Sequence, residues 1–123
     1  MAINEQRTGS GSTGTQDVMS AIEFQEELRR VARYDVRPPV ENPLAEAVQK
    51  VKANPAFTQS RLLGRMLTAL TYQRGEFRRA EASALDTATL GLVIALMNAA
   101  RAGTTAREEW INAVTACDAA AAA

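Results

Sequence analysis

Apolar residues recur three and four positions apart through most of this chain, which is the spacing of an amphipathic helix. The pattern predicts an all-α fold, a compact irregular bundle of four to five helices. The first helix is predicted to begin at Asp17, a good N-cap residue, and to end before Arg37, because a residue that precedes proline is disfavoured in a helix. Its predicted apolar stripe is Val18, Ala21, Ile22, Leu28 and Val31.

Start and stop residues mark the next two helices. An asparagine cap followed by proline begins the second helix at Asn42–Pro43, and Asn54–Pro55 ends it. The third helix is predicted to begin near Thr58 and to end at Arg74–Gly75, with the glycine as its left-handed terminal residue. The apolar stripe of the third helix is Leu63, Met66, Leu67 and Leu70.

The most hydrophobic segment is predicted to form a central helix over about residues 84–102. Between Leu90 and Met97 apolar residues cover nearly the whole circumference, which is typical of a buried helix. Ser83 with Asp86 three positions later is a possible start signal, and Gly103 is predicted to end the helix.

The remaining segments are less regular. Residues 76–82 have no clear helical pattern, but Phe77 is predicted to anchor them in the core. A last helix is predicted to begin with a capping box from Thr105 to Glu108. The domain organisation predicted is a disordered, flexible tail rich in Gly, Ser and Thr over residues 1–16, a single helical domain over 17–118, and an alanine-rich tail over 119–123.

Composition removes several classes of function. The chain has no histidine, so the commonest general base and metal ligand is missing, and Cys117 is its only cysteine. We therefore predict no catalytic, cofactor-binding or metal-binding residues. The longest uncharged apolar stretch, Thr87–Ala100, has 14 residues, fewer than the roughly 18 that would predict a bilayer span. The expectations are no membrane association and a cytoplasmic location, and the alanine- and arginine-rich composition favours a bacterial source.

Charge is distributed unevenly although the net charge is zero. Residues 1–28 carry a net charge of −4, residues 29–79 a net charge of +7, and residues 80–123 a net charge of −3. Nearly all of the basic residues in the middle section are arginines, which can bind phosphate or carboxylate groups with two parallel hydrogen bonds. The predicted binding surface consists of Arg29, Arg30, Arg33, Arg61, Arg65, Arg78 and Arg79.

Three interpretations of these arginines stay open at this stage. The first is a surface for a protein partner or for a second copy of the chain in a homo-oligomer. The second is nucleic-acid binding, with residues 43–79 acting as a helix-turn-helix-like surface. Its reading helix would present Thr58, Gln59, Ser60, Arg61 and Arg65. The third is a solvated face on which the arginines pair with acids of the first and last helices.

Overall fold

The structure, a computed structural model, describes residues 18–32 and 41–122. Within these ranges the chain forms six helices and a two-stranded antiparallel sheet, which confirms the predicted all-α bundle. In chain order the elements are β1 Val18–Ser20, α1 Ala21–Ala32, α2 Pro43–Ala53, α3 Thr58–Tyr72, β2 Glu76–Arg78, α4 Arg79–Ala84, α5 Thr87–Ala102 and α6 Arg107–Ala122. The predicted tail over residues 1–16 lies outside the described residues.

Three helices, α2, α3 and α5, contact one another and form the centre of the bundle. Helix α6 packs on α2 and α3, whereas α1 packs on α5 and on the small sheet. The predicted central helix, α5, buries Val93 and Leu96 completely. However, α3 buries Leu63, Met66 and Leu67 just as deeply, so α5 is not the single central helix that was predicted.

Several predicted helix ends are confirmed. The Asn42 side chain accepts a hydrogen bond from the backbone N–H of Ala45 at 3.2 Å and caps α2, which ends at Ala53. Helix α5 ends at Gly103, whose φ of 68° is left-handed and whose N–H donates to the Ala99 carbonyl. Sequence signals therefore placed these ends correctly because each depends on a single local residue type.

Two other predicted helix ends are wrong. Asp86, and not Ser83, caps α5, and its carboxylate accepts a hydrogen bond from the Thr89 N–H at 2.7 Å. Ser83 instead belongs to the short helix α4. At the end of α3, the left-handed residue is Gln73 with φ 56°, two positions before Gly75. Gly75 has a φ of 128° and serves the turn into β2, where its flexibility is also required.

The first predicted helix begins later than expected. Residues Val18–Ser20 form β1, and Ser20 caps α1 by a capping box with Glu23: the Glu23 N–H donates to the Ser20 hydroxyl and the Ser20 N–H donates to the Glu23 carboxylate. The predicted cap, Asp17, and the predicted end at Arg37 lie outside the described residues. Part of the predicted stripe is wrong, because Val18 is 45% and Ile22 67% exposed, whereas the predicted members Ala21 and Leu28 are buried, as is Phe24 beside them.

The small sheet attaches α1 to the segment that the sequence left ambiguous. Strand β1 pairs with β2 so that Met19 lies opposite Phe77. Phe77 is buried, as predicted, and its ring stacks on Phe24 with ring centres 4.3 Å apart. The contact fixes α1 against the turn that follows α3.

The last helix extends through the alanine-rich end. The Ala106 carbonyl accepts hydrogen bonds from the N–H groups of Glu109 and Trp110, so α6 begins after the predicted cap. No hydrogen bond joins Thr105 and Glu108 within residues 41–122, so the predicted capping box is wrong. Nowhere in the described ranges is there a helix long and apolar enough to cross a bilayer.

Candidate functional site

The described members of the seven arginines predicted as one binding surface lie in separate places. Arg33 is outside the described residues. The side chains of Arg30 and Arg79 meet at Glu27, whereas only the side chain of Arg65 pairs with Glu81, which also accepts a hydrogen bond from the backbone of Arg78. Arg61 shares one groove with Arg65 and Arg29 lines another, so the structure does not bring the set together.

The first pair neutralises a buried acid of α1. Glu27 is only 9% exposed and accepts hydrogen bonds from Arg30, one turn further on, and from Arg79 of α4 at 3.2 Å. The hydrogen bond from Arg30 holds the pKa of Glu27 below its ordinary value, the charges of both arginines add to this, and burial opposes it. Arg30 therefore pairs within α1, whereas Arg79 joins α4 to α1.

Arg65 connects α3 to the β2–α4 segment. Its guanidinium pairs with the Glu81 carboxylate, donates to the Glu76 carbonyl at 2.7 Å, and lies over the Phe77 ring with 4.8 Å to the ring centre. Glu81 also accepts a hydrogen bond from the Arg78 N–H at 2.8 Å. Burial raises the pKa of Glu81, but the hydrogen bonds from Arg65 and Arg78 outweigh it, so the pKa is lowered.

Most of the side chains predicted to contact bases on the helix-turn-helix-like surface, formed by α2 and α3, are already bonded within the fold. Gln59 donates to the Ala84 carbonyl and accepts from the Asp86 N–H, while Ser60 is buried and donates to the Lys50 carbonyl. Because Arg65, although exposed, is also engaged, Thr58 and Arg61 are the two of the five residues predicted to read bases that are exposed and make no side-chain hydrogen bond or ion pair with a described residue.

Arg61 lies in a groove between α2, α3 and α6 with a volume of about 320 Å³. Its guanidinium has no hydrogen-bond or ion-pair partner among the described residues, although Asp118 lies in the same groove. Cys117 also lines this groove but is buried, and burial, with the charge of Asp118, raises the pKa of its thiol. A thiol with a raised pKa is a poor nucleophile at neutral pH.

A second groove, between α1, α3 and α5, combines apolar surface with unneutralised positive charge. Its volume is also about 320 Å³. We name it the arginine groove, after the two residues that give it its charge. Its main side chains are Ile22, Gln25, Arg29, Leu70, Met97 and Arg101.

The two arginines of this groove come from different helices. Arg29 lies in the last turn of α1 and donates to the Asn98 side chain at 3.0 Å, and Arg101 lies in the last turn of α5. Burial lowers the pKa of Arg29, and the charge of Arg101 lowers it further. No acidic residue lines the groove, and neither arginine makes a salt bridge within the described ranges. The result is a partly desolvated pair of like charges.

Sequence reasoning named Arg29 but missed Arg101 and the exposure of Ile22. Arg101 follows the apolar stretch of α5 by one residue and has no local pattern that marks it as a partner of α1. Its role arises from the packing of α1 on α5, which no spacing rule predicts.

The described residues contain no group of three or more Cys, Asp or Glu side chains placed to hold a metal ion. The arrangement that stands out is thus the apolar and basic surface of the arginine groove. Comparison of the chain with protein-family models, with curated proteins and with solved structures finds no match.

Proposed function

We propose that this chain is a non-enzymatic accessory protein that binds another protein chain in the arginine groove. The observation that carries the proposal is the pair Arg29 and Arg101, two cations beside apolar surface with no carboxylate among the described residues that line the groove. A carboxylate of a bound protein segment would neutralise one of the two charges and reduce the repulsion between them, and arginine binds carboxylates with two parallel hydrogen bonds.

The apolar part of the groove supports a protein as the ligand. Ile22 is exposed at its edge, and Leu70 and Met97 line it. Protein interfaces combine an apolar centre with arginine and methionine more often than other surfaces do. An amphipathic helix that places an apolar side chain one turn from an acidic one matches this pattern. The buried thiol of Cys117 supports a reducing compartment such as the cytoplasm.

Nucleic acid is the alternative ligand, and its attachment would be through the α2–α3 surface. The exposed, unpaired guanidinium of Arg61 and the exposed ring of Phe57 near it favour this alternative. The contacts that occupy Gln59, Ser60 and Arg65 weaken it, because side chains already bonded within the fold are less available to bases.

Site-specific crosslinking in the source cells tests the proposal. A photoreactive phenylalanine analogue replaces Ile22, and the matched control places it at Phe57, which is 61% exposed. We expect a crosslinked protein at Ile22 whose linked peptide carries an acidic residue about one helical turn from the attachment point. Reversing both charges, with Arg29→Glu and Arg101→Glu, should reduce the yield at least about ten-fold.

Three results would contradict the proposal. They are the absence of an Ile22-specific product, a yield that does not depend on Arg29 and Arg101, and retention of DNA or RNA at low salt that Arg61→Glu abolishes. The last result would favour the nucleic-acid alternative.

A further inference from the structure

We infer that the protein bound in the arginine groove is a second copy of this chain, which pairs through α1 in an antiparallel, two-fold symmetric dimer. This inference rests on the proposed function and identifies its partner. It starts from three residues of α1. Ile22, Glu26 and Arg29 are spaced by four and three positions, so they form one stripe along the helix surface.

Every member of this stripe has an unmet interaction. Ile22 is an apolar side chain in water. Glu26 is exposed, and it makes no hydrogen bond or ion pair with a described residue. Among the described residues, Arg29 bonds only to the neutral Asn98 side chain, and it is repelled by Arg101. Along the stripe the order is therefore apolar, acidic, basic.

Antiparallel pairing of two copies of α1 gives each of these three side chains a partner. In a two-fold interface, each contact between two residues occurs twice with the copies exchanged. If the axis passes between Gln25 and Glu26, the two grooves face each other. Ile22 of each copy then lies against the stem of Arg29 of the other, at the basic end of its groove. Glu26 of each copy comes within about one helical turn of that Arg29, a gap that an arginine side chain spans.

Parallel pairing would be much less favourable. It would place Glu26 against Glu26 and Arg29 against Arg29, and like charges at an interface are destabilising. The charge order on α1 thus selects the antiparallel orientation. The acidic half and the basic half of this helix complement each other only when one copy is reversed.

Analytical ultracentrifugation of the purified chain tests the inference, from about 1 μM to about 1 mM protein. We expect a reversible monomer–dimer equilibrium that Ile22→Ser shifts toward monomer at least about ten-fold, whereas Phe57→Ser, at an equally exposed apolar position, leaves it unchanged. Far-UV circular dichroism of each variant checks that the helices are retained.

A charge exchange gives the decisive comparison. Glu26→Arg makes the stripe wholly basic, and Arg29→Glu makes it wholly acidic, so each variant alone should dimerise at least about ten-fold more weakly than the wild type. An equimolar mixture should form a heterodimer, because the two stripes then carry opposite charges. Recovery of association in the mixture is the result expected for direct contact between these positions.

A wild-type chain that stays monomeric over the whole range would overturn the inference, and so would a mixture that associates no better than its components. Neither result would contradict the proposed function if crosslinking at Ile22 identifies a different protein as the partner. Conversely, a dimer that Ile22→Ser and the charge exchange do not affect would place the contact elsewhere.

Discussion

Replacing Arg65 with alanine is expected to lower the free energy of unfolding by about 2 kcal/mol, because this side chain holds the β2–α4 segment on α3. The ion pair with Glu81 is about half exposed to solvent and contributes only about 0.5 kcal/mol. The hydrogen bond to the Glu76 carbonyl adds about 1 kcal/mol, and the position of the guanidinium over Phe77 adds about 0.5 kcal/mol.

Arg61 provides the matched control because it lies one turn earlier on the same helix and its guanidinium has no partner among the described residues. Arg61→Ala should change the free energy of unfolding by less than about 0.5 kcal/mol. Arg65→Lys should fall between the two, since lysine keeps the charge but cannot bond to Glu81 and the Glu76 carbonyl with one planar group.

Urea unfolding followed by the fluorescence of Trp110, the only tryptophan and a buried one, measures all of these variants. The slope of the free energy against urea concentration should stay constant, so that the midpoint reports stability. If Arg65→Ala unfolds within about 0.5 kcal/mol of the wild type, its contacts do not stabilise the fold and the reasoning is wrong.

Three other substitutions test the packing and the caps. Gly64→Ala should stabilise the chain by about 1 kcal/mol in urea unfolding, because the glycine lies inside α3. An added Cβ would have the Cys117 Cβ as its nearest neighbour, at 4.0 Å, which is an ordinary contact. A loss of stability would mean that the space between α3 and α6 cannot hold the added methyl group. Thr71→Val should increase the free energy of unfolding by about 1 kcal/mol and so raise the melting temperature, because the buried Thr71 hydroxyl has no hydrogen-bond partner in the described structure. A lower melting temperature would show that the hydroxyl does have a hydrogen-bond partner. The hydrogen bond from the Thr89 N–H lowers the pKa of Asp86 in the folded state. The ionised Asp86 therefore stabilises the fold fully above the pKa of the unfolded chain, and this stabilisation is lost as the pH falls through the lower pKa of the folded chain. Asp86→Asn keeps the cap at neutral pH and should weaken the loss of stability on acidification, and a variant with an unchanged pH profile would contradict this.

Features of this fold that depend on one local residue were predictable from the sequence. The Asn42–Pro43 start and the Gly103 end are examples, because a cap requires one residue type at one position. The apolar anchor Phe77 was also predicted, although its stacking partner Phe24 was not.

Features that depend on contacts between distant segments were missed. Strand β1 is only three residues long, too short to show alternation, and it forms because β2, nearly sixty residues later, pairs with it. The Ser20–Glu23 capping box was visible in the sequence, but the apolar stripe that appeared to start at Val18 obscured it. For the candidate site, Arg29 was predicted, whereas its neighbour Arg101 depends on how α1 lies on α5.

The same distinction between local and long-range contacts explains where the arginines of the basic middle section lie in the fold. A net charge of +7 over residues 29–79 would form a basic patch only if the acids stayed elsewhere. The fold instead brings Glu27 from the acidic first section and Glu81 from the acidic last section to the side chains of three of the arginines, Arg30, Arg65 and Arg79. Two of them, Arg65 and Arg79, join elements, and Arg30 pairs within α1. The solvated-face interpretation partly anticipated this pairing, but α4 supplies the second acid in place of the last helix. The arginine groove differs because the lining residues that the structure describes include no acid. That local imbalance, which the net charge of the section does not reveal, is why contact with another chain is expected there.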